Sequence, residues 1–134
     1  MNSTNSLCGA VYIKDGRVLT LMRKNTNSLN IPTGVINGSQ KPEELILLKT
    51  KQELGVEASI ERCLGRYEFS TYNGKREIYL YKIKIEKGTP RLMHHEKFEK
   101  IAYIPVETIE NYIPRAKPYL CQFCRLYAEE MKRE

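Results

Sequence analysis

The segment GVINGSQKPEELILLKTKQELGV, residues 34–56, constrains the chain more than any other stretch. Gly34, Gly38 and Pro42 punctuate its first part as a turning segment. Pro42 suits the first turn of a helix, where its missing N–H is not needed. Glu43 and Glu44 follow at the positive end of that helix, and Gly55 suits the left-handed residue that closes one. The spacing predicts a helix that starts near Ser39 to Pro42 and ends at Leu54.

Strand material lies on both sides. Residues 8–13, CGAVYI, form an apolar run, Asp15-Gly16 is a two-residue hairpin signal, and VLTLMR at 18–23 pairs back. KNTNSLN at 24–30 reads as a polar loop, and residues 31–44 as turns rather than an element. After the helix, residues 56–72 continue as a strand and Asn73-Gly74 marks a second hairpin. KREIYLYKIKIE at 75–86 alternates, with Tyr79, Tyr81, Ile83 and Ile85 on one face. Residues 87–100 read as a long polar connection, 101–113 as a strand followed by a short turn or helix, and about 116–132 as a terminal amphipathic helix. The order β-β-loop-helix-β-β-β-helix predicts an α+β fold, a mixed sheet covered by at least two helices. At 134 residues one domain is expected, with a core over about 7–110.

No window approaches eighteen uninterrupted apolar residues, so no membrane partner is expected. The first residues, MNSTNSLCGAVY, lack a basic start and a long apolar run, and a cytoplasmic location is expected. The net charge of +6 and pI of about 9.1 favour anionic partners: nucleotides, RNA or acidic surfaces. The positive charges are scattered, so a solvated basic surface is the plainer account.

Residues 34–56 resemble a Nudix box, G-x5-E-x7-R-E-U-x-E-E-x-G-U with U a bulky aliphatic residue. Gly34, Glu53, Gly55 and Val56 match the pattern in place, and Gly38 fits the second loop glycine. The hairpin CGAVYIKDGRVLTLMRK, closed by Arg23, and the stretch EKFEKIAYIPVETI resemble what flanks the box in that family. The resemblance implies an α/β/α sandwich that binds a nucleoside diphosphate linked to another group. It also implies Mg²⁺ or Mn²⁺ held by helix carboxylates, which neutralise phosphate and activate water. The departures fall on the acids: Gln40 replaces the first glutamate, Leu48-Lys49 the Arg-Glu pair, Thr50 the aliphatic residue and Gln52 a further glutamate. Of the box glutamates only Glu53 remains, as the candidate catalytic and metal-binding residue.

Three functions stay open. The favoured one is a binding domain that keeps a nucleotide or nucleoside-diphosphate ligand and loses most or all cleavage. Its ligand-binding candidates are Arg23, Gly34, Gln40, Lys49, Gln52 and Tyr79. The second is an active Mg²⁺- or Mn²⁺-dependent hydrolase in which Glu53 is helped by Glu96, Glu99 or Glu57. The third is an interaction domain using Leu45 and Leu48, which widen the apolar stripe beyond Ile46, Leu47, Thr50 and Leu54. The core, the terminal helix or a second copy of the chain would cover those leucines, with core packing favoured. Lys49 either pairs with Glu53 at i,i+4 or stands in for the metal. Glu96, Glu99, His94 and His95 also read as plain loop residues. The cysteines at 8, 63, 121 and 124 read as buried thiols rather than a zinc site. Tyr67, Tyr72, Tyr79 and Tyr81, near Lys75 and Arg76, read first as cross-strand packing and second as a surface that stacks a base.

Overall fold

The architecture is given by a computed structural model, described over residues 6–26, 28–71, 74–112 and 119–125. The chain divides into two compact units, one of residues 1–12 and 31–93, the other of residues 13–30 and 94–134.

The first unit holds β1 (Leu7–Val11), β5 (Thr33–Val35), α1 (Pro42–Leu54), β6 (Glu57–Thr71) and β7 (Gly74–Lys87). Its sheet runs β5-β1-β7-β6 and is mixed, because β1 lies parallel to β7 while the other neighbours are antiparallel. Alternation along β1 and β7 sorts the two faces. Cys8, Ala10, Tyr81 and Ile83 meet Leu45 and Ile46 of α1 in one buried cluster, with Tyr12, Leu47, Ile60 and Tyr79 packed against it. Gly9 lies on the other face, where a Cβ would come within 3.0 Å of both Ile31 and Leu80.

The helix has the predicted bounds for the predicted reasons. Pro42 opens it, Glu43 and Glu44 occupy the first turn, and Gly55 closes it in the left-handed region at φ 68°. Lys41 at the N-cap makes no side-chain cap bond. The carbonyls at the other end are taken by the following connection: the N–H groups of Arg91 and Met93 donate to Leu54 and Glu53. Ile46, Thr50 and Leu54 are fully buried, and the Thr50 hydroxyl donates to the Ile46 carbonyl at 2.7 Å. A threonine in place of an aliphatic residue is thus tolerated because its one polar group is bonded.

The second unit holds β2 (Ile13–Lys14), β3 (Arg17–Arg23), β4 (Leu29–Asn30), β8 (Phe98–Pro105), a 3₁₀ helix (Val106–Tyr112) and a helical stretch over 119–125. β3 pairs antiparallel with β2, β4 and β8. The Asp15-Gly16 hairpin is present, both residues at positive φ.

Some expectations need correction. β4 and β5 fall where loop was predicted, because both are short and are strands only through their partners, β3 for β4 and the sequence-distant β1 for β5. β8 starts at Phe98, inside the expected connection. Leu45 is buried at 9%, but Leu48 is 52% exposed and does not join the core. Cys63 is exposed while Cys8, Cys121 and Cys124 are buried. The strands of the second hairpin pair as expected, up to Thr71 opposite Gly74. Tyr72 and Asn73, and the terminal helix beyond 119–125, lie outside the described residues.

Candidate functional site

α1 carries Lys49, Gln52 and Glu53 on one face, at about 100° per residue. Lys49 and Glu53 are half-buried and Gln52 is exposed. The helix is pressed onto β5 at Gly34, where a Cβ would stand 3.0 Å from Cγ and Cδ2 of Leu45 and 3.2 Å from Cγ of Lys49. Glycine at this position therefore lets the Lys49 stem lie against the strand. Gly34→Ala is expected to cost about 1–3 kcal/mol, the range for overpacking, and to lower the urea midpoint. An unchanged midpoint would mean that α1 does not bear on β5 there.

Lys49 also lies within electrostatic reach of the thiol beneath it. Burial pushes Cys8 up to about 11, against a weaker downward pull from backbone hydrogen bonding at Gly34 and from the Lys49 charge. Tyr81 is pushed up to about 12, chiefly by burial and then by the nearby Glu43. Both groups stay neutral near pH 7 and serve as packing beneath the helix face.

Gln40 is exposed, and its side-chain oxygen accepts from the Asn37 N–H at 3.1 Å while its own N–H donates to the Asn37 carbonyl at 3.2 Å. The residue in the place of the first box glutamate closes the loop before α1. Tyr79 is half-buried, and its hydroxyl donates to Glu77 at 3.2 Å. Glu77 also accepts from Ser6 at 2.6 Å and from Arg66 at 2.8 Å, and these bonds hold its carboxyl below the usual range. This network ties β1, β6 and β7 together. No sequence pattern flagged it, because Ser6, Arg66 and Glu77 become neighbours only through strand pairing.

Arg23, Glu96 and Glu99 belong to the second unit. The β3–β8 register slips between Met22 and Arg23, so that Arg23 stands opposite Phe98 and Met22 opposite Lys100. Glu99 is the residue passed over, beside Arg23 on the ladder. Glu96 takes a hydrogen bond from its own backbone and lies 3.1 Å from the His94 ring, both of which lower its carboxyl.

The donors on the α1 face do not fit Mg²⁺ or Mn²⁺. These hard cations need several oxygen ligands and a negative field, whereas Lys49 brings a positive charge, Gln52 a neutral amide and Glu53 one carboxylate. Among the described residues no three His, Cys, Asp or Glu side chains form a group that could hold a metal ion. The four-cysteine zinc alternative also finds no such group among them. No helix among them is long and apolar enough to cross a membrane.

No protein-family profile matches the chain. A MutT-like protein from Streptomyces ambofaciens is 27% identical over 66 residues, which cover 49% of this chain and 43% of that protein. The aligned segment thus spans less than half of that relative. A Nudix hydrolase from Nitrosomonas europaea superposes with a TM-score of 0.80 at 15% identity, covering 96% of this chain and 90% of its own. The Nudix domain of Shewanella oneidensis NrtR, solved with ADP ribose, superposes with a TM-score of 0.72 at 16% identity over 98% of this chain and 90% of its own.

Proposed function

The chain is a Nudix-fold domain, and we propose that it acts as a single domain that binds a nucleoside-diphosphate ligand without cleaving it efficiently. The observation that carries this reading is Lys49. It stands where the Nudix pattern has a glutamate, half-buried and with its stem against Gly34. There the ammonium neutralises diphosphate charge directly, as a lysine can and a carboxylate cannot. Gln52 and the side-chain amide of Gln40 add neutral hydrogen-bond donors. Support for the ligand class comes from the ADP ribose held by the NrtR domain that shares the fold.

The test uses ADP-ribose, a nucleoside triphosphate and a dinucleoside polyphosphate, each with Mg²⁺, Mn²⁺ or EDTA. Expected is a rise in melting temperature with ADP-ribose that EDTA leaves intact, with no nucleotide product formed. Metal-dependent turnover lost in Glu53→Gln would overturn this reading. It would favour an active hydrolase whose reduced ligand set includes Glu53. No affinity for any nucleotide would leave the interaction-domain reading, in which the exposed Leu48 contacts another protein or a second copy of the chain.

A further inference from the structure

The turn between β2 and β3 borders an open hollow of about 500 Å³, lined among the described residues by Lys14, Asp15, Arg17 and Tyr103. Lys14 and Arg17 are register partners across the hairpin. Like charges directly opposite on a strand pair are unfavourable by themselves, and an anion between them removes that cost. Tyr103 stands opposite Leu19, two residues along β3 from Arg17, so alternation puts Tyr103 and Arg17 on the same face in diagonal reach. Tyr103, two residues from the end of β8, is 38% exposed. The pieces are held in place: Gly16 accepts from the Val106 N–H at 3.0 Å, and Pro105 stands opposite Arg17.

An aromatic face flanked by two cations and one carboxylate matches the parts of a nucleotide unit. The base stacks on the ring, the phosphates meet the cations, and the carboxylate accepts from a sugar hydroxyl or a base N–H. We propose that this hollow is a binding site for single-stranded nucleic acid, separate from the α1 face. The openness of the hollow lets a chain pass through, and the +6 net charge favours an extended polyanion over a lone nucleotide. An acidic protein surface would use the cations and leave the ring idle, which makes Tyr103 the discriminating residue.

The test is fluorescence anisotropy with a labelled oligouridine of about 12 nucleotides, near the upper site sizes of aromatic-platform binders, across a salt series. Lys14→Gln with Arg17→Gln is expected to weaken binding about tenfold and to flatten the salt slope by about 1.4, the value for two phosphate contacts on a single strand. Tyr103→Ala is expected to weaken it about fivefold or more, the low end of one base stack, while Tyr103→Phe keeps it. Melting curves of each variant separate lost binding from lost folding. Excess ADP-ribose is expected to leave the oligonucleotide bound. Absent binding, equal binding by Tyr103→Ala and wild type, or displacement by ADP-ribose would each overturn the proposal.

Discussion

Lys49→Glu combined with Gln52→Glu is expected to exchange one kind of binding for another: metal-free affinity for ADP-ribose falls about a hundredfold, and Mg²⁺ begins to stabilise the protein. The wild-type face carries one positive and one negative charge at 49 and 53; the variant carries three negative charges within one helical turn. A unit charge pair at about 4 Å is worth roughly 4 kcal/mol at an effective dielectric of 20. Gln52 is exposed and Lys49 half-buried, so solvent screening reduces this to about one decade of affinity per residue altered, about 1.4 kcal/mol each. Without metal the three acids repel at i,i+3 and i,i+4, costing a few tenths of a kcal/mol per pair and about 2–5 °C in melting temperature. Adding Mg²⁺ is expected to restore that loss, and EDTA to abolish the gain. The reading of Lys49 as a phosphate partner would be falsified by a Lys49→Glu single variant that binds ADP-ribose as the wild type does. A double variant that ignores Mg²⁺ would show that the loss of metal binding does not lie in these two residues.

The parts of the fold legible in the sequence are those specified locally. Pro42 and Gly55 bound α1 because a missing N–H and a left-handed residue have few other homes. Asp15-Gly16 marks its hairpin for the same kind of reason. β4 and β5 were illegible because two or three residues carry no period, and only a partner strand makes them strands. The candidate face of α1 was legible because helical spacing fixes which residues share it. Burial along that face was not: Leu45 and Leu48 look alike in sequence, yet Leu45 meets Gly34 while Leu48 points to solvent. Tyr79 shows the same limit. Alternation placed it on one face with Tyr81, Ile83 and Ile85, but the network around the Glu77 it bonds also needs Ser6 and Arg66, which arrive from elsewhere in the chain. The basic hollow left one trace, two cations flanking Asp15-Gly16, which becomes informative only once Tyr103 is known to lie beside them.

Ile46→Ala is expected to cause the larger loss of stability, about 3 kcal/mol within the 2–5 kcal/mol range for such truncations. Ile46 is fully buried in the cluster that seats α1 on its sheet, among Cys8, Ala10, Leu45, Tyr81 and Ile83. Removing its outer carbons leaves a void that these neighbours, fixed on β1, β7 and the helix itself, can fill only in part. The bond from the Thr50 hydroxyl to the Ile46 carbonyl survives the change, so the cost isolates packing. Leu48→Ala, less than one turn from Leu45 and Ile46 of the same cluster but 52% exposed, is expected to stay within about 0.5 kcal/mol. Urea unfolding followed by circular dichroism measures both. Ligand affinity of the still-folded Ile46→Ala protein adds a second readout, because Lys49, Gln52 and Glu53 ride on the same helix and lose their seat with it. A cost below about 1 kcal/mol would mean that the sheet does not hold α1 through this residue. A full cost with unchanged affinity would mean that the ligand does not depend on where the helix sits, and would remove α1 from the binding site.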